Sequence, residues 1–472
     1  MRIAILQKIA YEFIGVMCIT SVIKKSGHDC EVFVYDLDKN LFVENIKEYS
    51  PDIIAFTLLS PDHTWFKNTV DFFQEEYPNV SVIIGGPHAT FFPEMIYDND
   101  NIKAVFLGEA EGTIEEFLTK YNDDEALKTI KGIWYKDKAG VMHKNEGRSL
   151  LEDLDSLPFP DRGLYCDKYD QMRTEERGFM GSRGCPFRCT FCYNAGYLDL
   201  YKDKGKYIRC FSPQRIIKEI TNARERYAFK SVDFVDDLFT HDYDWLTSFL
   251  SLYKKKVNLP FICQVKANMM TDDIARVLKD SGVSMVRFGL ESGVERIRNK
   301  ILKKGIKDKH IFECSNILRR NGVKFGTFNI VGIPLEGIDD AWKTVEMNIR
   351  IKTYFPWASV LIPYPRTDIA RIAIQAKLLP QQYDYNCLPS SYFSSSPLNL
   401  PQKHIFENIQ KVFYFAVKYP WTYPALKRIV RLKVPIFFKI LFGLSFLLRF
   451  SEERKISLWR SIKVAWQFRN TY

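Results

Sequence analysis

Three cysteines within eight residues constrain this chain more than any other feature. They lie in Arg183-Gly184-Cys185-Pro186-Phe187-Arg188-Cys189-Thr190-Phe191-Cys192-Tyr193-Asn194, spaced C-x₃-C-x₂-C. Thiolate is the preferred ligand of iron in iron–sulfur clusters, and short spacing lets one loop wrap a cluster. A [4Fe–4S] cluster usually takes four cysteines. Three leave one iron with an open position, which suits binding of a substrate or cofactor. A structural zinc site or a chance grouping would also bring thiols together. Zinc, however, draws on a second pair of Cys or His, whereas Cys166 and Cys210 flank the motif as single residues. Chance gives this spacing in roughly one such chain in several hundred.

A length of 472 residues fits two to three domains with ample core. The chain is 46% apolar and 26% charged, an ordinary globular balance. Cys18, Cys30, Cys263, Cys314 and Cys387 are scattered. That pattern suits buried free thiols in a reducing compartment better than a disulfide framework. Met1-Arg2-Ile3-Ala4-Ile5-Leu6 meets Lys8 and Glu12 too soon for a signal peptide, so a cytoplasmic location is expected. A net charge of +10 names no partner by itself, and no nucleic acid is expected.

Over residues 1–125, short apolar runs (3–6, 32–35, 53–59, 80–84 and 104–107) alternate with helix-length stretches near 13–26, 41–49, 64–77 and 88–97. The pattern predicts an α/β, doubly wound, Rossmann-like parallel sheet. Ligands of such sheets sit beyond the C-terminal strand ends. Those ends carry Thr57-Leu58-Leu59-Ser60, Gly85-Gly86-Pro87-His88 and Gly108-Glu109-Ala110-Glu111. Neither G-x-G-x-x-G nor G-x₄-G-K-[ST] occurs, so no dinucleotide or triphosphate site is expected. Residues 126–177 read as a hairpin, with Gly140 near its turn, and a connector stiffened by Pro158 and Pro160.

From 178 to 380, strand and helix signals alternate again, with Thr271 as an expected N-cap. The strands end in Asp236-Asp237, near Lys266 and Asn268, in Glu291-Ser292-Gly293, and in Gly332-Ile333-Pro334-Leu335-Glu336. Repeated units of this kind close into a full or partial (β/α) barrel that collects polar groups at one mouth. Residues 381–472 read as a serine-rich loop at 390–396, a plausible lid, followed by a helical, aromatic and basic region. From Leu426 to Tyr472 there are eleven Lys or Arg and two acids. The apolar run at 434–448 is broken by Lys439 and is too short to span a bilayer, which needs ~20 residues. With Trp459 and Trp466 it suits either a cap on the barrel or a helix lying on an anionic membrane at the inner face.

The cysteine loop resembles the signature of the radical S-adenosylmethionine (SAM) superfamily, C-x₃-C-x-aromatic-C, with Phe191 as the aromatic residue. The resemblance implies that Cys185, Cys189 and Cys192 hold a [4Fe–4S] cluster whose open iron chelates SAM. Reductive cleavage of SAM would give methionine and a 5′-deoxyadenosyl radical. It places Asp236 and Asp237 at the amino end of SAM, Glu291 and Ser292 at its ribose and methionine polar groups, and Ile330 and Gly332 beside adenine. The usual acidic Gly-Gly-Glu element is absent, and Asp236-Asp237 stands in its place.

The first 125 residues resemble the cobalamin-binding domain found in one branch of that superfamily, the class B methyltransferase-like enzymes. The resemblance puts Thr57, Leu59, Ser60, Gly85, Gly86, Gly108 and Glu109 around the corrin. The D-x-H-x-x-G motif that gives cobalt a histidine in other cobalamin proteins is missing. The implied function is cobalamin-dependent methyl transfer to an unactivated centre of a small-molecule or lipid-like substrate. An external donor of flavodoxin or ferredoxin type would supply electrons, and no catalytic acid or base is assigned. Alternatives are a radical SAM cyclase or oxidoreductase, an RNA methylthiotransferase, or a non-enzymatic iron–sulfur scaffold. The methylthiotransferase would need three further N-terminal cysteines, and Cys18 and Cys30 do not supply them.

Overall fold

The computed structural model describes residues 1–389 and 395–454. The expected lid at 390–396 falls mostly outside them, as do Trp459 and Trp466. The chain divides into two compact units. The first comprises Met1–Gly184 with Gly196–Phe229, and the second comprises Cys185–Ala195 with the chain from Lys230 onward.

In the first unit, strands β1 (Arg2–Gln7), β2 (Asp29–Val34), β3 (Ile53–Thr57), β4 (Ser81–Gly85) and β5 (Ile102–Phe106) pair in parallel. An antiparallel hairpin, β6 (Ile133–Lys136) and β7 (Met142–Lys144), extends the sheet beyond β5. The order is β2-β1-β3-β4-β5-β6-β7, and the chain reverses direction across the sheet between β2 and β3. The parallel strands read as largely apolar runs because both faces are covered, with Glu31 on edge strand β2 and Lys103 on β5 as the interruptions. Ile3 and Ile5 enter one core while Ala4 and Leu6 enter the other. The helix expected over 88–97 is shorter than the pattern implied. It spans Gly86–Phe91, and a 3₁₀ turn Pro93–Tyr97 follows, because Pro93 has no amide with which to continue the helical ladder. Strand β8 (Glu176–Phe179) leads to a short antiparallel pair, β9 (Ser182–Arg183) with β10 (Arg209–Cys210).

The second unit contains five parallel strands in sequential order: β11 (Ser231–Phe234), β12 (Phe261–Val265), β13 (Val283–Glu291), β14 (Phe325–Val331) and β15 (Phe355–Val360). Helices Tyr243–Lys256, Asp272–Asp280, Asp308–Arg320 and Ile338–Ile351 connect them. β15 and β11 do not pair, so the curled sheet remains a partial barrel. Thr271 caps its helix as expected, accepting from the Ile274 amide at 3.2 Å. Helix Lys403–Lys418 places Ile409, Val412 and Phe413 in a core shared with Val331, Trp342 and Val360. Phe438 of the last helix, Pro435–Arg454, joins the same core. Cys387 is exposed, unlike Cys18, Cys30, Cys263 and Cys314, because it ends an Asp384-capped 3₁₀ turn, Tyr385–Cys387, at the surface.

Candidate radical SAM and cobalamin sites

The three thiols belong to a loop that other parts of the second unit hold in place. Thr190 donates its amide to Leu302 O at 3.1 Å and its hydroxyl to Ile301 O at 2.8 Å, while its carbonyl accepts from the Ile369 amide at 2.9 Å. Phe191 packs against the main apolar core. The Asn194 amide and side-chain amide point at Cys192 Sγ from 3.5 and 3.6 Å. Burial raises all three thiols, Cys185 to about 11. Lys304 and Lys266 oppose that rise at Cys189.

These observations fit an iron–sulfur cluster. One immobilised loop presents three thiols, two lysines offset the charge of the thiolates, and amide donors reach a sulfur, the contacts that tune such centres. Among the described residues, no three His, Cys, Asp or Glu groups converge as the ligands of a single ion do. Thiols of a polynuclear cluster need not converge, because each binds a different iron.

A register shift between Gly289 and Glu291 breaks the regular ladder at the end of β13. Glu291 takes a left-handed conformation there, with φ of 63°. Such irregularities re-aim a side chain at a strand end. The Glu291 carboxylate meets Lys304 Nζ at 2.6 Å, with Glu291 buried and Lys304 part-buried. Burial works against the Lys304 charge, but Glu291 and the thiol of Cys189 outweigh it and raise its pKa. Burial lowers Lys266 to about 8, and its ammonium lies over the Phe187 ring. Asp236 is buried. Asp237 reaches solvent but is crowded by protein atoms, which raises its carboxyl although Asn194 donates to it.

Not every expected residue presents its polar group outward. Ser292 is fully buried, and its hydroxyl accepts from the Val294 amide at 3.2 Å within the turn. Ile330 is half-buried against the core. Gly332 donates its amide to Glu336 Oε2 at 2.6 Å, and Ile333 donates to the same oxygen at 3.1 Å. Glu336 is only 7% exposed, and its other oxygen has no partner among the described residues. Burial pushes this carboxyl up to about 8 against the two amides. Between about pH 4.5 and 8 the folded chain therefore retains a proton that the unfolded chain releases, so stability falls as pH rises through that window. Glu336→Gln keeps the acceptor oxygen and removes the ionisation. We expect the decline of urea midpoint with rising pH to flatten in this variant, by on the order of a few kcal/mol across the window.

In the first unit, the expected cobalamin residues gather at the C-terminal edge of the sheet. Thr57, Leu59, Gly85, Gly86, Gly108 and Glu109 are each part-exposed there, whereas Ser60 is buried. The edge is knitted by backbone contacts: Leu58 donates to Gly85 O at 3.0 Å, and His88 donates to Leu58 O at 3.1 Å. Gly86, at φ of +94°, lies so close to Leu58 that a Cβ would sit 3.0 Å from its backbone N and O. Ser60 Oγ is 3.2 Å from His88 Nδ1, so its hydroxyl is used within the protein. Gly108, at φ of +72°, has the Tyr201 hydroxyl where a Cβ would be, and that hydroxyl accepts from the Glu109 amide at 2.6 Å. The Glu109 carboxylate is held by Arg209 and, at 3.0 Å, by Arg183. Arg183 also reaches Glu111 at 2.6 Å. A cavity of about 670 Å³ opens beside Glu109 and Glu111, with Arg148 and Lys131 on its wall.

A half-exposed rim of backbone, small and apolar groups fits a large flat ligand such as corrin. No histidine of this unit is presented there. His63 and His88 are buried, His28 lies at the opposite edge where β2 begins, and His143 pairs with Asp137 in the hairpin.

A doubly wound domain joined to a partial barrel that holds three thiols on one loop defines an enzyme class built around an iron–sulfur cluster. Comparison with known proteins agrees. Residues 9–118 match the B12 binding domain, and residues 180–347 match the radical SAM superfamily. The chain is therefore a radical SAM enzyme with an N-terminal B12-binding domain, of the cobalamin-dependent, methyltransferase-like family, and its cofactors are a [4Fe–4S] cluster, SAM and cobalamin. It is 27% identical over 373 residues to an uncharacterized methyltransferase of Pyrococcus horikoshii, covering 78% of this chain and 79% of that one. It is 25% identical over 345 residues to cytidylyl-2-hydroxyethylphosphonate methyltransferase of Streptomyces wedmorensis, covering 65% of this chain and 62% of that one. The structure of the cobalamin-dependent SAM radical enzyme OxsB with aqua-cobalamin and SAM bound shares the fold. Its TM-score is 0.69 at 14% identity, over 99% of this chain and 78% of that one.

Sequence reasoning put Lys266 at the barrel mouth without giving it a role, and missed Lys304, Arg183 and Arg209 as parts of these sites. These last three carry no local signal.

Proposed function

We propose that this enzyme transfers a methyl group to an unactivated centre of a small-molecule or lipid-like substrate. The observation that carries the reading is the pairing of a B12-binding domain with a three-thiol radical SAM loop in one chain. Methyltransferase names among its relatives support it. When bound, the cluster supplies the electron that cleaves SAM, and cobalamin carries the methyl group.

The chain's own residues would act as follows. Cys185, Cys189 and Cys192 hold iron, with Lys266 and Lys304 balancing the thiolate charge. Glu291 and Asp237 offer carboxylates to the ammonium and hydroxyl groups of SAM, Glu291 by sharing its bond to Lys304. Ile330 and the Gly332 turn offer an apolar edge to adenine. Thr57, Leu59, Gly85, Gly86 and Gly108 form the rim for corrin, with no imidazole of that unit directed at the metal.

The test is an anaerobic incubation of the reconstituted protein with a reductant, SAM and candidate substrates, reading S-adenosylhomocysteine and 5′-deoxyadenosine together. Both products, with a methylated substrate, are expected. 5′-Deoxyadenosine without S-adenosylhomocysteine would instead establish a cyclase or oxidoreductase.

A further inference from the structure

The exposed apolar surface of the second unit is concentrated in one short stretch. Of the ten large hydrophobic side chains exposed there among the described residues, eight lie between Tyr419 and Leu444. Every residue from Arg431 to Phe437 is exposed. Helix Pro435–Arg454 shows why. Phe438, Ser445 and Arg449 are buried on one side, while Ile436, Ile440 and Leu444, spaced four apart, line the other. Ile436 is 71% exposed, Ile440 66%, and Trp421, on the preceding turn, 81%. Leaving such a stripe in water is costly unless something covers it.

Charge identifies what covers it. Between Tyr419 and Phe450 there are six Lys or Arg and no Asp or Glu. The next acid, Glu452, is already paired with Lys418 at 2.9 Å. Lys427 has Asp339 at 3.9 Å, but Arg431, Lys433 and Lys439 pair with no acid among the described residues, and a symmetric contact with a second copy would set these cations against themselves. An apolar stripe with unpaired cations along it and an exposed tryptophan beside it matches an interfacial helix on anionic lipid. Among the described residues, no helix is long and apolar enough to cross a membrane. We infer that this surface docks the enzyme on an anionic bilayer. Ile436, Ile440 and Leu444 enter the acyl boundary, and Arg431, Lys433 and Lys439 meet the headgroup phosphates.

The test is co-sedimentation of the full chain with phosphatidylcholine vesicles and with mixed phosphatidylcholine and phosphatidylglycerol vesicles, at low and high salt. Binding to the mixed vesicles at low salt is expected, falling at least about tenfold without the anionic lipid or at high salt. Arg431→Glu with Lys433→Glu, and separately Ile436→Ser with Ile440→Ser, should each lower binding about tenfold or more. Thermal unfolding should stay unchanged, since all four side chains are exposed. Wild-type protein that stays in the supernatant with anionic vesicles at low salt overturns the inference, as does binding that both double variants leave intact. A dimer that these variants split, without vesicle binding by the wild type, also overturns it and assigns the surface to a second copy.

Discussion

Changing Cys185, Cys189 and Cys192 together to Ala is expected to leave anaerobically reconstituted protein without cluster iron or its visible charge-transfer absorbance. SAM cleavage should fall at least about 10³-fold. The three thiols sit on a loop fixed at both faces through Thr190, so the deletion removes ligands without removing the anchor. Cys166→Ala and Cys210→Ala are the controls. Both thiols lie outside the segment Cys185–Cys192, and iron content should be unaffected. A full iron complement in the triple variant would show that the cluster is held elsewhere. Wild-type protein that leaves SAM intact under reducing conditions with substrate would count against the whole reading.

The second large effect is expected at Arg298. This side chain has no solvent exposure, and it lies in the one-turn π-helix Ile297–Ile301. It donates to Ser292 O at 2.6 Å, to Ile306 O at 2.7 Å and to the Asp308 carboxylate. One guanidinium thus ties the turn after Glu291 to the segment that carries Lys304. Arg298→Met fills similar volume but leaves these acceptors unpaired, a loss of about 3–5 kcal/mol, read as a lower urea midpoint. SAM affinity should weaken as well, because the Glu291–Lys304 pair loses the segment that fixes its spacing. Arg298→Lys should recover little of either, since an ammonium cannot reproduce a planar fork that serves several acceptors. If affinity for SAM survives in Arg298→Met, the turn at Glu291 is not what positions the ligand.

Much of this architecture could be read before any coordinates. Apolar runs of four to seven residues, alternating with amphipathic stretches, gave two parallel sheets, because a strand covered on both faces must be largely apolar. Thr271 was legible as a cap because capping depends on residues three positions apart. Glu109 shows the opposite case. Its place at a strand end marked it as a contact for a ligand, yet its carboxylate is held by Arg183 and Arg209, residues 74 and 100 positions away. No local pattern encodes pairs separated so far in the chain. Ser60 is similar, since its hydroxyl meets His88 across 28 positions.

Spacing along the chain was enough to declare a cluster loop and the order of its strands, because thiol chelation and strand periodicity act over a few residues. Tertiary structure alone decided which charges stand beside that loop. Lys266 and Lys304 reach Cys189 from other segments, and the backbone irregularity at Glu291 turns its carboxylate toward Lys304. Electrostatic balance in a buried site depends on distance through space, and only the folded chain sets that distance.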